Sequence, residues 1–562
     1  MPNAHSPLSF NFKATPADTV DTLNRRRGEE TMAVTNRAKG AAKTPAWAVR
    51  GKLRLAHVPG GPAEAARLVY SGLWDKTPAG LLSAGRYSAE LVNELVARKI
   101  NAVCLTWSPG FSLEGDVPQW ELVAALLPLL KKKKIRAIAD ISLTGCFAAE
   151  FLPRVPEAKS WLERQPDGKP IAHRNDNCLQ MNVHHDGWRQ YIAHKVRMAA
   201  GAGFDGFFFS DVFAAEHESA ECLAWLREVA RSGRPAEPGA DEPLLYSASA
   251  RPGIAATANL KWLPSGTKPM LDPQENQSNA SNILALKTLF ELAGRDIAFV
   301  SGMPDSASEK VCRVAAAEIL ACGGACHGTR VPAQYQAFFM EHAELFGSAD
   351  PINSVGLLID PAALPPAEAA KAMDLLLRHG IQFDVIPAPE LEKFDLKKYR
   401  AISTALCPAT SEAAMAALKT FTAQQSGTLL ECRGDASAEL RSVVETGKGR
   451  TITYRAPLSG DAATAWLADL QAFGGAQPVE VQTPGTAIAF LWGKGTRRWV
   501  HFINYASKPC AATVALPGCG GRKLTAFSPD DHAPELVDME TGTAHAKFTL
   551  KGLDTYAIVE VN

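Results

Sequence analysis

The segment FDGFFFSD (204–211) closes an apolar aromatic run with a carboxylate, Asp211. Three consecutive phenylalanines bounded by small residues read as a buried strand. An acid at the C-terminal end of such a strand has its pKa set by aromatic walls as much as by water. A second acidic pair, Asp272 and Glu275, stands in MLDPQENQ, after the apolar run KPMLD. Two carboxyl groups facing each other across a cleft can share the roles of acid, base and nucleophile at an acetal carbon. A separation of about 5 Å allows direct attack, and about 6.5–9.5 Å leaves room for a water. On this reading Asp211 attacks and either Asp272 or Glu275 donates the proton, with Glu216 and Asp305 as outlying acids. The competing roles are structural: Asp211 capping the next helix, and Asp272 opening a turn before Pro273.

Flat apolar faces and hydroxyl partners complete a sugar-binding reading. Trp74 with Asp75 is expected after the first strand and Trp107 after the second. His184 and His185 follow a long polar segment, and His327 ends the eighth strand. Indole faces stack on the C–H faces of pyranose rings, while Asp, Glu and His bond hydroxyls. Glu216 joins this binding group. Each of these residues also has an ordinary packing or hydrogen-bonding role open to it. His184, His185 and Asp186 with Asp211 do not match a metal-ligand spacing, so no metal is assigned. No G-x-S-x-G elbow and no G-x-G-x-x-G turn occurs, and Cys407 in ALCPAT lacks flanking glycines. No cofactor is implied.

These residues need a scaffold. From about 66 to 330, eight short apolar runs alternate with amphipathic helical stretches, a pattern that predicts a parallel sheet covered on both faces. The runs are 66–74, 101–108, 135–143, 204–211, 243–249, 268–272, 297–302 and 324–329. Eight units in this length predict a closed (β/α)8 TIM barrel, whose active site lies at the strand C-termini. The segment 144–186, rich in Pro, Asn, Asp and His, reads as an active-site loop. Beyond it, 348–475 reads as a small open α/β domain, and 476–562, with short strands and turns, as an antiparallel β-sandwich. Residues 1–60 read as a partly disordered extension, leaving 61–347 for the barrel.

The totals narrow the function further. Lys+Arg and Asp+Glu both number 59 in 562 residues. A neutral chain has no global field to hold polyanions, which argues against nucleic acid. The basic run Lys131–Lys134 suits the C-terminus of a helix. Eleven cysteines, an odd number without CxxC spacing, point to buried thiols in a reducing compartment. No apolar stretch is long enough to span a membrane. The expected location is the cytoplasm, or the periplasm if a signal has been removed.

The order of barrel, α/β domain and β domain resembles family-42 β-galactosidases and related glycosyl hydrolases. LLLRHGIQFDVIPAPELEKFDLKKYRAISTALCPATSEAAMAALKTF resembles their flavodoxin- or glutaminase-like trimerisation domain, which implies a homo-oligomer, a dimer or a trimer. NVHHDGWRQYIAHKVRMAAGAGFDGFFFSD resembles the region before the fourth strand in such hydrolases and in enzymes of the α-amylase and α-fucosidase type. In the latter the matching Asp is a retaining nucleophile, a role the resemblance implies for Asp211. The Asn-Glu pair after strand four and the Glu at strand seven of family 42 are missing: the strands read FFFSD and FVSGMPD. The expectation is a retaining glycosidase; the alternative is a non-catalytic carbohydrate-binding or scaffold protein on the same fold.

Overall fold

The computed structural model describes residues 50–562 apart from 59–60, 71–86, 174, 211–224, 226–227, 230–243, 249–259, 264–279, 294–299, 303–307, 328–330, 348, 360–373, 408–410, 434–440, 456–459, 475–479, 483–486 and 543. Eight strands pair in sequential order: β1 Leu55–Val58, β2 Ala102–Ser108, β3 Arg136–Ser142, β4 Gly206–Ser210, β5 Leu244–Ala248, β6 Leu260–Leu263, β7 Val300–Gly302 and β8 Ala325–His327. Every pairing is parallel. The first and last strands lie side by side, so the sheet closes into a barrel.

The alternation within the strands explains the closure. Val103, Leu105, Ala137, Ala139, Ile141, Phe207 and Phe209 share one core with Val123, Leu126, Leu130, Val196 and Ala199. The last five belong to helices α1 (Leu113–Lys132) and α2 (Asp186–Ala202), so those strand residues face the helical ring. Each large side chain buried this way contributes about 1.5–3 kcal/mol. The intervening residues, among them Cys104, Ile138 and Phe208, fill the barrel interior and are equally buried. Ser112 caps α1 by accepting from Gly115 N at 3.1 Å, and Lys131 and Lys132 lie in its last turn, as the basic run suggested.

Two strands differ from their sequence-based placement. The run 66–74 was expected to be the first strand, but Gly61–Tyr70 is a helix. Its opening GPAEAA has Pro at the second position and good helix formers after it, which outweighs the strand-like RLVY. The first strand is instead the four residues of LAHV, within the stretch read as an extension. The sixth strand was expected at 268–272 and is LKWL, Leu260–Leu263. Both true strands are short and carry a polar residue, which hides them in an apolarity scan.

After the barrel, a six-stranded sheet runs in the order Phe383–Pro387, Val355–Ile359, Ala401–Leu406, Thr428–Arg433, Gly449–Arg455, Arg441–Thr446. It is parallel except for the final hairpin. Two antiparallel sheets of five and four strands then face each other over Val500, Phe502, Val514, Leu516, Phe548 and Leu550. A second core joins barrel helices through Ala317, Leu320 and Phe338 to Val355 and Val385 of the α/β sheet and to Trp492 and Tyr556 of the sandwich. Among the described residues, no helix is long and apolar enough to cross a membrane.

Candidate active site at the barrel mouth

The ends of β2 to β4 are tied to a long excursion after β3. Residues 143–185 form a three-stranded antiparallel sheet of Gly145–Phe147, Ala172–His173 and Asn175–Gln180, with a helix at Ala148–Arg154. Leu143 N donates to Ser210 O at 2.8 Å, tying the end of β3 to the end of β4. Trp188 Nε1 donates to Leu143 O at 2.9 Å, fixing the same point from α2. Glu150 accepts from Ser112 N at 2.8 Å and from Ser112 Oγ at 2.6 Å, so the excursion's acid completes the N-terminal cap of α1. Gly110 permits this close approach: its φ is +106°, and a Cβ there would meet Gly145 O at 2.5 Å.

Behind this layer lies a sealed ion pair. Lys195 of α2 donates to Asp116 Oδ2 at 2.9 Å, Ser108 Oγ at 2.6 Å and Phe111 O at 2.5 Å, which uses all three of its protons. Ser108 Oγ donates in turn to Asp116 Oδ2 at 2.6 Å. Burial pushes the Asp116 carboxyl up to about 6 against the pull of Lys195 and Ser108. Both side chains are almost wholly shut off from water. Their place between α1, α2 and the end of β2 makes them a clamp on the barrel wall.

Inside the barrel the polar residues are arranged differently. His57 on β1 and Asp140 on β3 point into the interior, with His57 Nε2 3.8 Å from Asp140 Oδ2. That is beyond hydrogen-bond range. Asp140 Oδ1 is buried and accepts no hydrogen bond among the described residues. The Cys104 thiol on the intervening strand is pushed well up by burial and by the charge of Asp140. The His57 and Asp140 side chains are 26% and 16% exposed, whereas Leu55, Ile138 and Cys104, deeper in the interior, are sealed. The interior therefore opens to solvent at the level of this pair.

The residues expected from sequence distribute unevenly. Asp211, Glu216, Asp272, Glu275, Trp74 and Asp75 lie outside the described residues. Asp211 directly follows Ser210, the last residue of β4. Asp272 and Glu275 come well after β6 rather than at its end, and Trp74 and Asp75 follow a helix rather than the first strand. Trp107 is a correction: it sits within β2, 3% exposed, stacked on Trp120 at 5.2 Å and edge-on to Phe204. A register shift between Thr106 and Ser108 accompanies its placement in the core facing the helices. His185 is occupied as the N-cap of α2, its Nδ1 accepting from Gly187 N at 3.1 Å. His184 is exposed beside it, and His327 ends β8. Among the described residues no three His, Cys, Asp or Glu side chains gather closely enough to hold a metal ion. His57 and Asp140 were not singled out from sequence, although an Asp at an inward position of the apolar strand RAIADIS was a readable signal.

No family model and no curated protein matches the chain. Solved structures do. Alpha-L-fucosidase isoenzyme 2 from Paenibacillus thiaminolyticus is similar at a TM-score of 0.62 and 12% identity, over 91% of this chain and 99% of that one. A β-galactosidase from Bacillus circulans sp. alkalophilus gives 0.62 and 10%, over 91% and 100%. Gan42B, a GH42 β-galactosidase from G. stearothermophilus, gives 0.61 and 10%, over 93% and 100%. The whole arrangement of barrel, α/β sheet and antiparallel sheets is thus a fold that these chains share from end to end.

Proposed function

We propose that the protein is a retaining glycoside hydrolase acting at the C-terminal mouth of its barrel. The observation that carries this reading is the end of β4: an aromatic strand, hydrogen-bonded to the end of β3, that leads directly into Asp211. Asp211 attacks the anomeric carbon, and Asp272 or Glu275 protonates the leaving oxygen and then activates water. His184, Glu216, His327, Trp74 and Asp75 are the remaining contributors to sugar binding in this proposal. Neighbours of the same fold that are named α-fucosidase and β-galactosidase support the substrate class. The organisation that goes with it is a barrel ending near 347, a glutaminase-like domain over 348–475 and a β-sandwich over 476–562. The middle domain, like its trimerising counterpart, would hold a homo-oligomer together, and light scattering that finds only monomer removes that element.

The test is a screen of aryl glycosides, with NMR of the first-formed sugar for any that is cleaved. Release with the anomeric configuration kept is expected. Release with inversion overturns the nucleophile assignment. Sugar binding without turnover across the panel replaces the hydrolase by a carbohydrate-binding protein. The absence of the family-42 acid pair from the ends of β4 and β7 keeps that second reading in play.

A further inference from the structure

A strand at the edge of a sheet presents a row of backbone N–H and C=O groups, and stable proteins blunt such rows. Three edges of this molecule show how. Phe383–Pro387 is wholly buried, ends in proline, and has its Phe383 carbonyl covered by Lys287 Nζ at 2.8 Å. Asp350–Pro351 is only two residues long and includes a proline. Glu535–Thr541 is broken by a register shift between Val537 and Glu540, with Asp538 at a φ of +50°.

The outer strand of the six-stranded sheet, Arg441–Thr446, has none of these devices. Its pairing to Gly449–Arg455 is regular from end to end, and no strand among the described residues pairs with its other side. Its sequence, RSVVET, has no proline and no lysine. Val443 and Val444 are 42% and 60% exposed, so neither face of the strand is covered. The hairpin closes at Gly447-Lys448, where Gly447 has the φ of +62° that a two-residue II′ turn needs, and Thr446 pairs with Gly449. Such a turn closes on a hydrogen-bonded pair, so Thr446, Val444 and Ser442 bond inward. The backbone groups of Arg441, Val443 and Glu445 then point outward.

We propose that this edge is a two-fold dimer interface, in which a second copy of the chain pairs with it antiparallel about an axis through Val443. The inference rests on the homo-oligomer reading of the middle domain and gives it a surface and a stoichiometry. Self-complementarity carries it. In that register Val443 faces its own copy, and Arg441 and Glu445 of one chain face Glu445 and Arg441 of the other, opposite charges at both ends. The three outward residues of each strand meet as hydrogen-bonded pairs, about six backbone bonds in all. Arg441 is already set in place: its Nε and Nη2 donate to Asp469 at 2.5 and 2.8 Å, which leaves guanidinium donors for a second carboxylate. Glu445 is mostly exposed, and its 3.7 Å contact with Arg450 is a weak surface pair. A shift of one residue either way would turn inward-bonded groups to face outward ones, so the register is fixed.

The experiment is sedimentation velocity of the full chain over about 1–100 µM, the range suited to a contact this small. Wild type should pass from monomer to dimer. Val443→Lys sets two cations face to face on the axis and should leave only monomer. Glu445→Lys faces the arginine of the second copy with a like charge at both ends and should weaken the dimer about tenfold. Met539→Lys, on the bulged edge, should change nothing. Thermal unfolding reports whether each variant is folded. Val443→Cys gives a reading that survives a misfolded lysine variant. Residues paired on the axis lie about 5.5 Å apart between Cα atoms, within disulfide reach. With oxidised glutathione accepting the two electrons, this variant should link to itself as a dimer, and wild type should not. An oligomer that persists in folded Val443→Lys, or a Val443→Cys chain that does not link, overturns the inference alone. Wild type that stays monomeric throughout overturns it together with the homo-oligomer and leaves the glycosidase reading untouched.

Discussion

Lys195–Asp116 in the barrel wall and His57–Asp140 in the barrel interior are both base–acid pairs near the C-terminal ends of strands, yet one is shut off from water and the other is not. The first is sealed, and every lysine proton is used at 2.5–2.9 Å. The second stands at 3.8 Å with both side chains part-exposed, and each pair leaves one carboxylate oxygen, Asp116 Oδ1 or Asp140 Oδ1, that accepts nothing among the described residues. A polar group inside a protein is tolerated when its partners are complete. A pair cut off from water can serve only the fold, whereas a part-exposed pair lies where solvent reaches it. The contrast is one of water access: 1% and 0% exposure at Lys195 and Asp116 against 26% and 16% at His57 and Asp140.

Mutations can break or sharpen this division. The largest effect belongs to the residue after β4: Asp211→Asn should slow turnover of a competent glycoside by ~10³-fold or more, about 4 kcal/mol of barrier, with little change in denaturant midpoint. Lys195→Met should do the reverse. Stranding Asp116 without its cation should cost about 3–5 kcal/mol by urea unfolding, while Lys195→Met with Asp116→Leu recovers part of it. Loss of activity with normal stability in Lys195→Met would place that pair at the reaction centre instead.

His501 sharpens the rule for sealed groups. Its ring is fully buried, Nδ1 lies 2.7 Å from Tyr556 Oη, and burial lowers its pKa from 6.5 to about 3. Above pH 6.5 both folded and unfolded chains hold it neutral. As pH falls from there towards 3, only the unfolded chain takes up the proton. Stability should therefore fall by up to ~1.4 kcal/mol per pH unit in that window. A His501→Gln variant, titrated by denaturant between pH 7 and 4.5, should show a shallower slope, and parallel slopes would discard this account. The smallest effect on folding is expected for Asp140→Asn, within ~0.5 kcal/mol of wild type. A loss above 2 kcal/mol would mean that the open pair is structural after all.

The scaffold was legible because periodicity carries it. FDGFFFSD, NAVCLTWS and IRAIADIS announce strands, and α1 and α2 show caps and apolar spacing. LAHV and LKWL were not legible, because four residues with one polar member carry too little signal. The misplaced first strand had consequences, since Trp74 and Asp75 were assigned to a strand end that lies elsewhere. Trp107 failed for a different reason. A tryptophan near a strand terminus can face the mouth or the helices, and the register shift beside Ser108 cannot be read from spacing. His57 and Asp140 were missed because pairing across two strands depends on stagger, a property of the closed sheet and not of either segment.

The seam between the barrel and the C-terminal sheets has its own implication. Trp492 Nε1 donates to Ala321 O at 3.0 Å, Tyr335 Oη to Asp530 at 3.0 Å, and Gln382 Nε2 to Ala489 O at 2.9 Å. These bonds cross part boundaries within a continuous apolar core. Truncating the chain after the last barrel helix would therefore bare a wet, aromatic wound rather than a finished surface. A shortened version should aggregate, and heating the intact chain should melt residues 50–562 in a single transition rather than in three steps.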